Sequence, residues 1–321
     1  MERESKIYVA GHRGLVGSAL VRRLESSGYQ NLVLRSRQEL DLLDAANVRA
    51  FFVQERPDYV FLAAARVGGI AANVASPVEF LRDNLTIQNN VLSSAHDAGV
   101  TKLMFLGSSC IYPRECAQPM REDYLMTGPV EPTNEGYALA KIAGLKLAAA
   151  YRSQYGDDFV SVMPSNLYGP GDNFDPEKSH VVPGMIRRLH EAKLSGADHV
   201  ELWGTGTPRR ELLYVDDLAD ACVYLMNEWS SDEFVNIGTG EDVTIAELAR
   251  SVADVVGYQG ELRFDPSRPD GMPRKVVDIE RLAKTGWSAS TSLSTGLATT
   301  YRWFLENVVA DEVATDLKAH A

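Results

Sequence analysis

The chain has 321 residues, and its 45% hydrophobic content is enough for the core of one large domain or two modest ones. A net charge of −12 disfavours binding to nucleic acid or anionic membranes, which requires a basic surface. The sequence contains neither an apolar run near the ~20 residues of a membrane span nor a signal-peptide pattern. Three scattered cysteines and no histidine cluster disfavour a disulfide framework and a metal site. We therefore expect a globular, cytoplasmic protein with reduced thiols.

A glycine turn follows the first predicted strand. Residues 6–10 are apolar, residues 11–17 read Gly-His-Arg-Gly-Leu-Val-Gly, and an amphipathic helix continues to Glu25. This arrangement is typical of dinucleotide binding, because glycines let the backbone approach a pyrophosphate and the helix N-terminus faces its charge. The spacing is a variant of the familiar Gly-x-Gly-x-x-Gly. The predicted cofactor contacts of this turn are Gly11, His12, Arg13, Gly14, Leu15, Val16 and Gly17.

The end of the second strand favours NADP over NAD. The strand at residues 32–34 leads into Arg35-Ser36-Arg37, where an NAD-binding protein would place an acidic residue for the ribose 2′-hydroxyl. Arg37 can hold a 2′-phosphate in a fork, whereas a carboxylate would repel it. Arg13 is a second candidate for this phosphate. The alternative is that Arg37 is a solvated surface charge.

The next segments alternate between helix and strand. A helix is predicted from residues 41–44 through Gln54, and a buried strand at 59–63. Residues 76–79, Ser-Pro-Val-Glu, have the form of a capping box with proline at the first helical position, so a long helix is predicted from there to Gly99. The alternation predicts an α/β fold with a doubly wound parallel Rossmann sheet.

Polar and nucleophilic residues follow the strand at 102–106. Residues 107–113 read Gly-Ser-Ser-Cys-Ile-Tyr-Pro, and an open parallel sheet binds its ligands at the carboxyl ends of its strands. Ser108 and Cys110 are therefore candidates for chemistry. The alternative is a serine-rich turn that only leaves the sheet.

A tyrosine and a lysine lie four residues apart on the helix that runs to about Tyr155. Tyr137 and Lys141 therefore share one helical face. A tyrosine has an ordinary pKa of ~10, and a neighbouring cation stabilises its phenolate, so we expect Lys141 to lower the pKa of Tyr137. The alternative is an unrelated pair on an ordinary helix.

The alternation lapses after the strand at 159–163, and loops near residues 170–183, 203–210 and 268–271 replace it. We expect these insertions to build a smaller α/β substrate-binding lobe over the strand ends. The predicted NADP-binding Rossmann domain comprises residues 1–165 with 212–240. The predicted substrate lobe comprises residues 166–211 with 241–321.

The glycine turn, Ser108, the Tyr137 and Lys141 pair and residues 166–170 together resemble the extended short-chain dehydrogenase/reductase family, which acts largely on nucleotide sugars. Within it, the chain is similar over nearly its whole length to the GDP-L-fucose synthase family. The segments that carry this narrower likeness are residues 11–18, 107–113, 131–135, 172–174 and 179–181. The resemblance implies NADPH-dependent 3,5-epimerisation and 4-reduction of GDP-4-keto-6-deoxy-D-mannose to GDP-L-fucose.

The resemblance also implies roles for particular residues. Cys110 and His180 would be the epimerisation pair, and a nearby imidazolium would lower the pKa of the cysteine thiol. Ser108 and Tyr137 would bind the sugar O4, and Lys141 would tune Tyr137 and hold the nicotinamide ribose. The further implied cofactor contacts are Leu106, Gly107, Pro164, Ser165, Asn166 and Leu167, and the implied substrate contacts are Arg188, Trp203, Arg210 and Asp270.

Two alternatives stay open at this point. A nucleotide-sugar 4-epimerase or 4,6-dehydratase has the same fold but has no need of Cys110 and His180. A dinucleotide-sensing protein without catalysis has no need of Tyr137 and Lys141. In either case the expected partner is a small molecule, and the long helices that start near Pro77 and Glu135 could pair two subunits as a homodimer.

Overall fold

The computed structural model describes residues 1–268 and 270–312, so residues 313–321 of the predicted substrate lobe lie outside the described part. The strands are β1 (Ile7–Ala10), β2 (Leu32–Val33), β3 (Tyr59–Leu62), β4 (Lys102–Leu106), β5 (Phe159–Pro164), β6 (Asn166–Tyr168), β7 (His199–Trp203), β8 (Arg209–Tyr214), β9 (Val235–Ile237), β10 (Asp242–Thr244), β11 (Glu261–Asp265) and β12 (Arg274–Lys275). The helices are α1 (Leu15–Ser26), α2 (Ala45–Glu55), α3 (Ile70–Ala75), α4 (Pro77–Asp97), α5 (Glu135–Tyr155), α6 (Val181–Ser195), α7 (Val215–Glu228), α8 (Ile245–Val256), α9 (Glu280–Lys284) and α10 (Leu293–Phe304), with short 3₁₀ turns at Ser109–Ile111, Glu122–Tyr124 and Pro132–Asn134 and a π-helical turn at Leu305–Val309.

Six strands form a central parallel sheet in the order β2-β1-β3-β4-β5-β9. The chain moves from β1 outward to β2 and then returns to the other side of β1 with β3. This change of direction opens a crevice at the carboxyl ends of the strands, where doubly wound sheets bind ligands. The predicted fold class is confirmed.

Helices cover both faces of the central sheet. Successive strand side chains point to opposite faces, so Tyr8 packs in the core under α2, α4 and α5 while Ile7 and Val9 pack in the core under α1 and α7. Burial on both faces explains why the strands read as continuous apolar runs. The sheet is thus a rigid support for the loops that leave its carboxyl edge.

The helix starts show where local sequence rules hold and where they fail. Asp44 caps α2, because its Oδ1 accepts hydrogen bonds from the backbone N–H groups of Ala46 and Asn47 at 3.0 and 3.1 Å. The capping box predicted at Ser76 is wrong, since the Ser76 side chain makes no cap hydrogen bond. Ser76 also ends α3, where its N–H donates to Ala72 O, and this shared position fixes its backbone away from capping geometry.

A second lobe lies beyond the carboxyl edge. In a small sheet, β8 pairs with β6, β10 and β12, and β7 pairs separately with β11. Helices α6, α8 and α10 enclose a separate apolar core. Strand β8 belongs to this small sheet, whereas α7, which follows it directly, packs against α1. The exact division into two domains stays a prediction.

Candidate active site

The turn between β1 and α1 is a tight backbone cradle. Gly11 has φ +85°, in the left-handed region, and a Cβ at Gly17 would lie 2.0 Å from Gly11 O. Gly14 is the N-cap of α1 and contributes no side-chain cap, so it leaves the first N–H groups of the helix open to an anion. The side chains of Leu15 and Val16 pack on the sheet core, so only their backbone can face a phosphate. These features fit the pyrophosphate of a dinucleotide.

A pocket of about 620 Å³ opens beside this turn. Arg35 at its edge is already engaged, because it donates to Glu55 at 2.6 Å. Arg37 is exposed and contacts Asp41 only loosely, with Nε 3.6 Å from Oδ2. Arg13 and Arg37 are therefore the cations available to a 2′-phosphate in this pocket. The residues that line it are Gly11, His12, Arg13, Gly14, Arg35, Ser36, Arg37, Gln38 and Asp41.

The other predicted cofactor residues lie at the ends of the neighbouring strands β4 and β5. Leu106 ends β4, and a Cβ at Gly107 would meet the Met163 sulfur at 2.1 Å. Pro164 ends β5, the Ser165 N–H donates to Ile237 O, and Asn166 and Leu167 begin β6. Ser165 Oγ and His12 Nδ1 are buried polar atoms without a hydrogen-bond partner among the described residues. Such atoms fit a polar ligand in the crevice.

Ser108, Tyr137 and Lys141 meet at the end of β4. Ser108 caps the 3₁₀ turn that follows the strand, and its hydroxyl lies near the Tyr137 side chain. Lys141 lies one turn beyond Tyr137 on α5, with Nζ 5.7 Å from the tyrosine ring centroid. The lysine ammonium donates to Leu106 O at 2.8 Å. The structure thus brings these three predicted residues together.

Burial governs the ionisation of this group. It lowers the pKa of Lys141 to about 8, and it raises the pKa of Tyr137. The neighbouring Ser108 hydroxyl opposes the rise without overcoming it. The expectation that Lys141 lowers the pKa of Tyr137 is therefore wrong, because desolvation of the phenol dominates and the ammonium is directed at Leu106 O.

Cys110 and His180 lie on different segments, and the charge of Lys275 acts on both. Cys110 lies buried in the 3₁₀ turn, whereas His180 is the exposed N-cap of α6. Burial raises the pKa of the Cys110 thiol, and the largest opposing influence is the charge of Lys275 rather than an imidazolium. Desolvation lowers the pKa of His180, and Lys275 lowers it further. The predicted effect of His180 on the thiol is therefore wrong.

Lys275 is a site residue that the sequence analysis missed. It lies in the two-residue strand β12, and two buried valines, Val276 and Val277, follow it directly. A lysine next to buried apolar residues was the available signal. The signal is weak, because lysine side chains commonly reach solvent from such positions.

The four predicted substrate residues lie in the second lobe and differ in exposure and hydrogen bonding. Arg210 is half-buried and donates to Met272 O at 2.6 Å, and burial lowers its pKa while Asp270 opposes that shift. Asp270 accepts from Thr205 N and Oγ1 at 2.9 and 2.7 Å, so it also fixes its own loop. Arg188 and Trp203 are exposed farther out, with 63% of the Trp203 surface accessible.

Residues 7–238 match the model of the NAD dependent epimerase/dehydratase family. The chain belongs to this family. The NAD dependence in the family's description agrees with the glycine cradle described above. The match covers the central sheet from β1 to the end of β9, so the cradle and the Ser108, Tyr137 and Lys141 group lie inside the matched region.

Two curated members of the epimerase/dehydratase family are similar along nearly the whole chain. GDP-L-fucose synthase 1 of Arabidopsis thaliana is 57% identical over 307 residues, which are 96% of this chain and 95% of that protein. GDP-L-fucose synthase of Escherichia coli K12 is 53% identical over 313 residues, which are 95% of this chain and 98% of that protein. Both matches extend through the second lobe.

A solved structure has the same fold. The crystal structure of a GDP-L-fucose synthetase from Naegleria fowleri bound to NADP superimposes with a TM-score of 0.90 at 31% identity. The superposition covers 96% of this chain and 94% of that chain. The likeness therefore includes both the central sheet and the second lobe.

Proposed function

We propose that the chain is an NADP-dependent epimerase and reductase that converts GDP-4-keto-6-deoxy-D-mannose to GDP-L-fucose. The observation that supports the proposal is the proximity of Cys110 to Ser108, Tyr137 and Lys141, together with the charge of Lys275, which acts on both Cys110 and His180. Relatives that share more than half of its residues are named GDP-L-fucose synthases. A 4-epimerase or 4,6-dehydratase has no use for the additional thiol and imidazole.

The epimerisation requires three kinds of group. The 4-keto group acidifies the hydrogens on C3 and C5, because the resulting carbanion is an enolate with its charge on O4. Cys110 and His180 supply the base and the acid: one accepts the carbon-bound proton and the other returns a proton to the opposite face. Ser108 and Tyr137 donate hydrogen bonds to O4 as its negative charge develops.

The reduction uses the group at the end of β4. When bound, NADPH supplies a hydride to C4. Tyr137 donates its proton to O4, and its raised pKa means that the phenol is protonated when the ketosugar arrives. Lys141, one helical turn from Tyr137, would hold the nicotinamide ribose. Tyr137 therefore acts as the proton donor of this step.

The second lobe binds the nucleotide end of the substrate. The chain is acidic overall, so a diphosphate must meet locally gathered cations. Arg210 and Arg188 fill this role, and the partly desolvated Arg210 offers the stronger charge-assisted hydrogen bonds. Trp203 presents an exposed ring on which a base or sugar can stack. Asp270 accepts a hydrogen bond from a hydroxyl or a base N–H.

Incubation of the protein with NADPH and GDP-4-keto-6-deoxymannose tests the function, with the product read by NMR. We expect GDP-L-fucose with both C3 and C5 inverted and one NADPH consumed per product. A 4-hydroxy product that retains both configurations would show that the protein is a ketosugar reductase without epimerase activity. NADPH that stays unconsumed would overturn the proposal entirely.

A proposal for the assembly follows from the helices beside the site. We propose a cytoplasmic homodimer, paired through a four-helix bundle of α4 and α5. Exposed apolar side chains gather on α3 and at the starts of α4 and α5, including Ile70, Val74, Val78 and Leu139. None of the helices in residues 1–268 and 270–312 is long and apolar enough to span a bilayer. Light scattering at working concentration tests the dimer, and a monomer would contradict it.

A further inference from the structure

The backbone of Lys275 is fixed between two parts of the active site. In the pairing of β12 with β8, Lys275 lies opposite Arg210. The residue after it, Val276, accepts from Met120 N at 2.8 Å and donates to Gln118 Oε1 at 3.0 Å. Met120 and Gln118 belong to the loop that continues from the Cys110 turn. These hydrogen bonds therefore fix the backbone beside Lys275 against the loop that follows the Cys110 turn.

The Lys275 ammonium has no hydrogen bond or ion pair in residues 1–268 and 270–312, although protein atoms surround it. The charged or ionisable groups that face it are Cys110, Arg210 and Glu211. The Glu211 carboxylate is already occupied, because it accepts from the N–H groups of Thr239, Gly240 and Val277 at 2.6 to 2.8 Å. The ammonium thus has no committed anionic partner.

Each element packed around Cys110 contributes a different influence on its thiol. From β12 comes the charge of Lys275, from α5 come Lys141 and Tyr137, and from its own turn comes Ser108. Lys275 exerts the strongest of the charge effects on the thiol and is also the charge that acts on His180. Lys141 is already committed to Leu106 O. A cation beside a cysteine favours the thiolate, which is the basic form.

We propose that Lys275 is a positioning residue that acts through Cys110, with its uncommitted charge offsetting part of the cost of ionising the buried thiol when that thiol serves as a base. This inference depends on the proposed function for the use of that thiolate. The electrostatic effect itself exists in the protein without substrate. It can therefore be measured separately from catalysis.

The test is the rate at which iodoacetamide alkylates Cys110, followed by mass spectrometry of its peptide from about pH 6 to about pH 9.5. In Lys275→Met the rate at pH 7.5 should fall about tenfold and the profile should move to higher pH, because a neighbouring cation is lost. Lys275→Arg should restore most of the rate, since it restores the charge. The matched control is Arg274→Met, which removes the charge of the adjacent residue. Arg274 is paired with Asp242, so its charge is already neutralised.

An unchanged profile in Lys275→Met would overturn the inference, and so would an equal shift in Arg274→Met. Lys275→Gln provides a second neutral variant, and the comparison uses whichever variant keeps the wild-type melting temperature. If the wild-type protein fails to form GDP-L-fucose while the alkylation profile shifts as expected, the proposed function fails and the electrostatic effect stands. If the product forms and the profile does not shift, only the Lys275 inference fails.

Discussion

Two groups of side chains share one edge of the sheet but differ in origin. Ser108, Tyr137 and Lys141 come from β4, its following turn and α5, all within the central sheet domain. Cys110 shares that turn, but His180 and Lys275 come from α6 and β12 in the second lobe. Lys141 is only 5% exposed, whereas His180 is an exposed residue. The proposed reductive group is therefore preorganised by the central sheet and its helices, and the proposed epimerising group depends on how the two lobes meet.

This difference predicts that the two reactions can be separated by mutation. A change within the sheet domain that removes only a proton donor should impair the reduction and leave the thiol in place. A change at the thiol should impair proton exchange and leave the hydride step intact. The predictions below test this separation, beginning with the largest effect.

Cys110→Ser should lower the exchange of the C3 and C5 hydrogens with solvent by up to about 10⁴-fold, because a serine hydroxyl is a far weaker base than a thiolate. Reduction of an already epimerised ketosugar should stay within a few-fold of the wild type. NMR in D₂O measures the exchange and NADPH absorbance measures the reduction. Cys116→Ser, a half-buried cysteine in the following loop, is the matched control. Unchanged exchange in Cys110→Ser would refute the assignment.

Tyr137→Phe should lower NADPH oxidation about 10²-fold to 10³-fold, since the ring stays but the proton donor is lost. Exchange at C3 and C5 should fall by less than about tenfold, because Ser108 still donates to the enolate oxygen. Tyr155→Phe makes the same change at an exposed position of α5 and should have no effect. If exchange fell as far as reduction, the two groups would not be separable.

Local rules account for what the sequence predicted. The glycine turn and the apolar strands depend on neighbouring residues, so the central sheet and the place of Ser108 could be predicted. The prediction of a capping box at Ser76 is wrong because a second helix, α3, ends on the same residue. The pKa directions predicted for Tyr137 and Cys110 are wrong because burial depends on segments far apart in the chain. Lys275 was missed for the same reason.

Arg37→Ala tests whether Arg37 binds the 2′-phosphate of NADPH. We expect kcat/KM for NADPH to fall about 10-fold to 100-fold and the value for NADH to change little, because only NADPH carries the 2′-phosphate. Steady-state kinetics with both cofactors measure this. Arg49→Ala, at an exposed position of α2, controls for loss of surface charge. An equal loss with NADH would place Arg37 outside the 2′-phosphate site.

Lys141→Met tests how far the burial of the Lys141 ammonium lowers the free energy of unfolding. The folded protein holds the Lys141 pKa near 8, below its ordinary value of 10.5, so at pH 7 folding buries a charged ammonium. The neutral variant should therefore be more stable by about 1–3 kcal/mol at that pH.

The sign of the pH dependence follows from proton binding. Between pH 8 and 10.5 the unfolded chain binds more protons at Lys141 than the folded one does. The wild type therefore gains stability as pH rises through this window, and the advantage of Lys141→Met should shrink. Urea unfolding at several pH values measures this, with Lys146→Met, an exposed position of the same helix, as the control. An advantage that is constant with pH would mean that the Lys141 pKa is the same in the folded and unfolded chains, and burial would then not disfavour the ammonium.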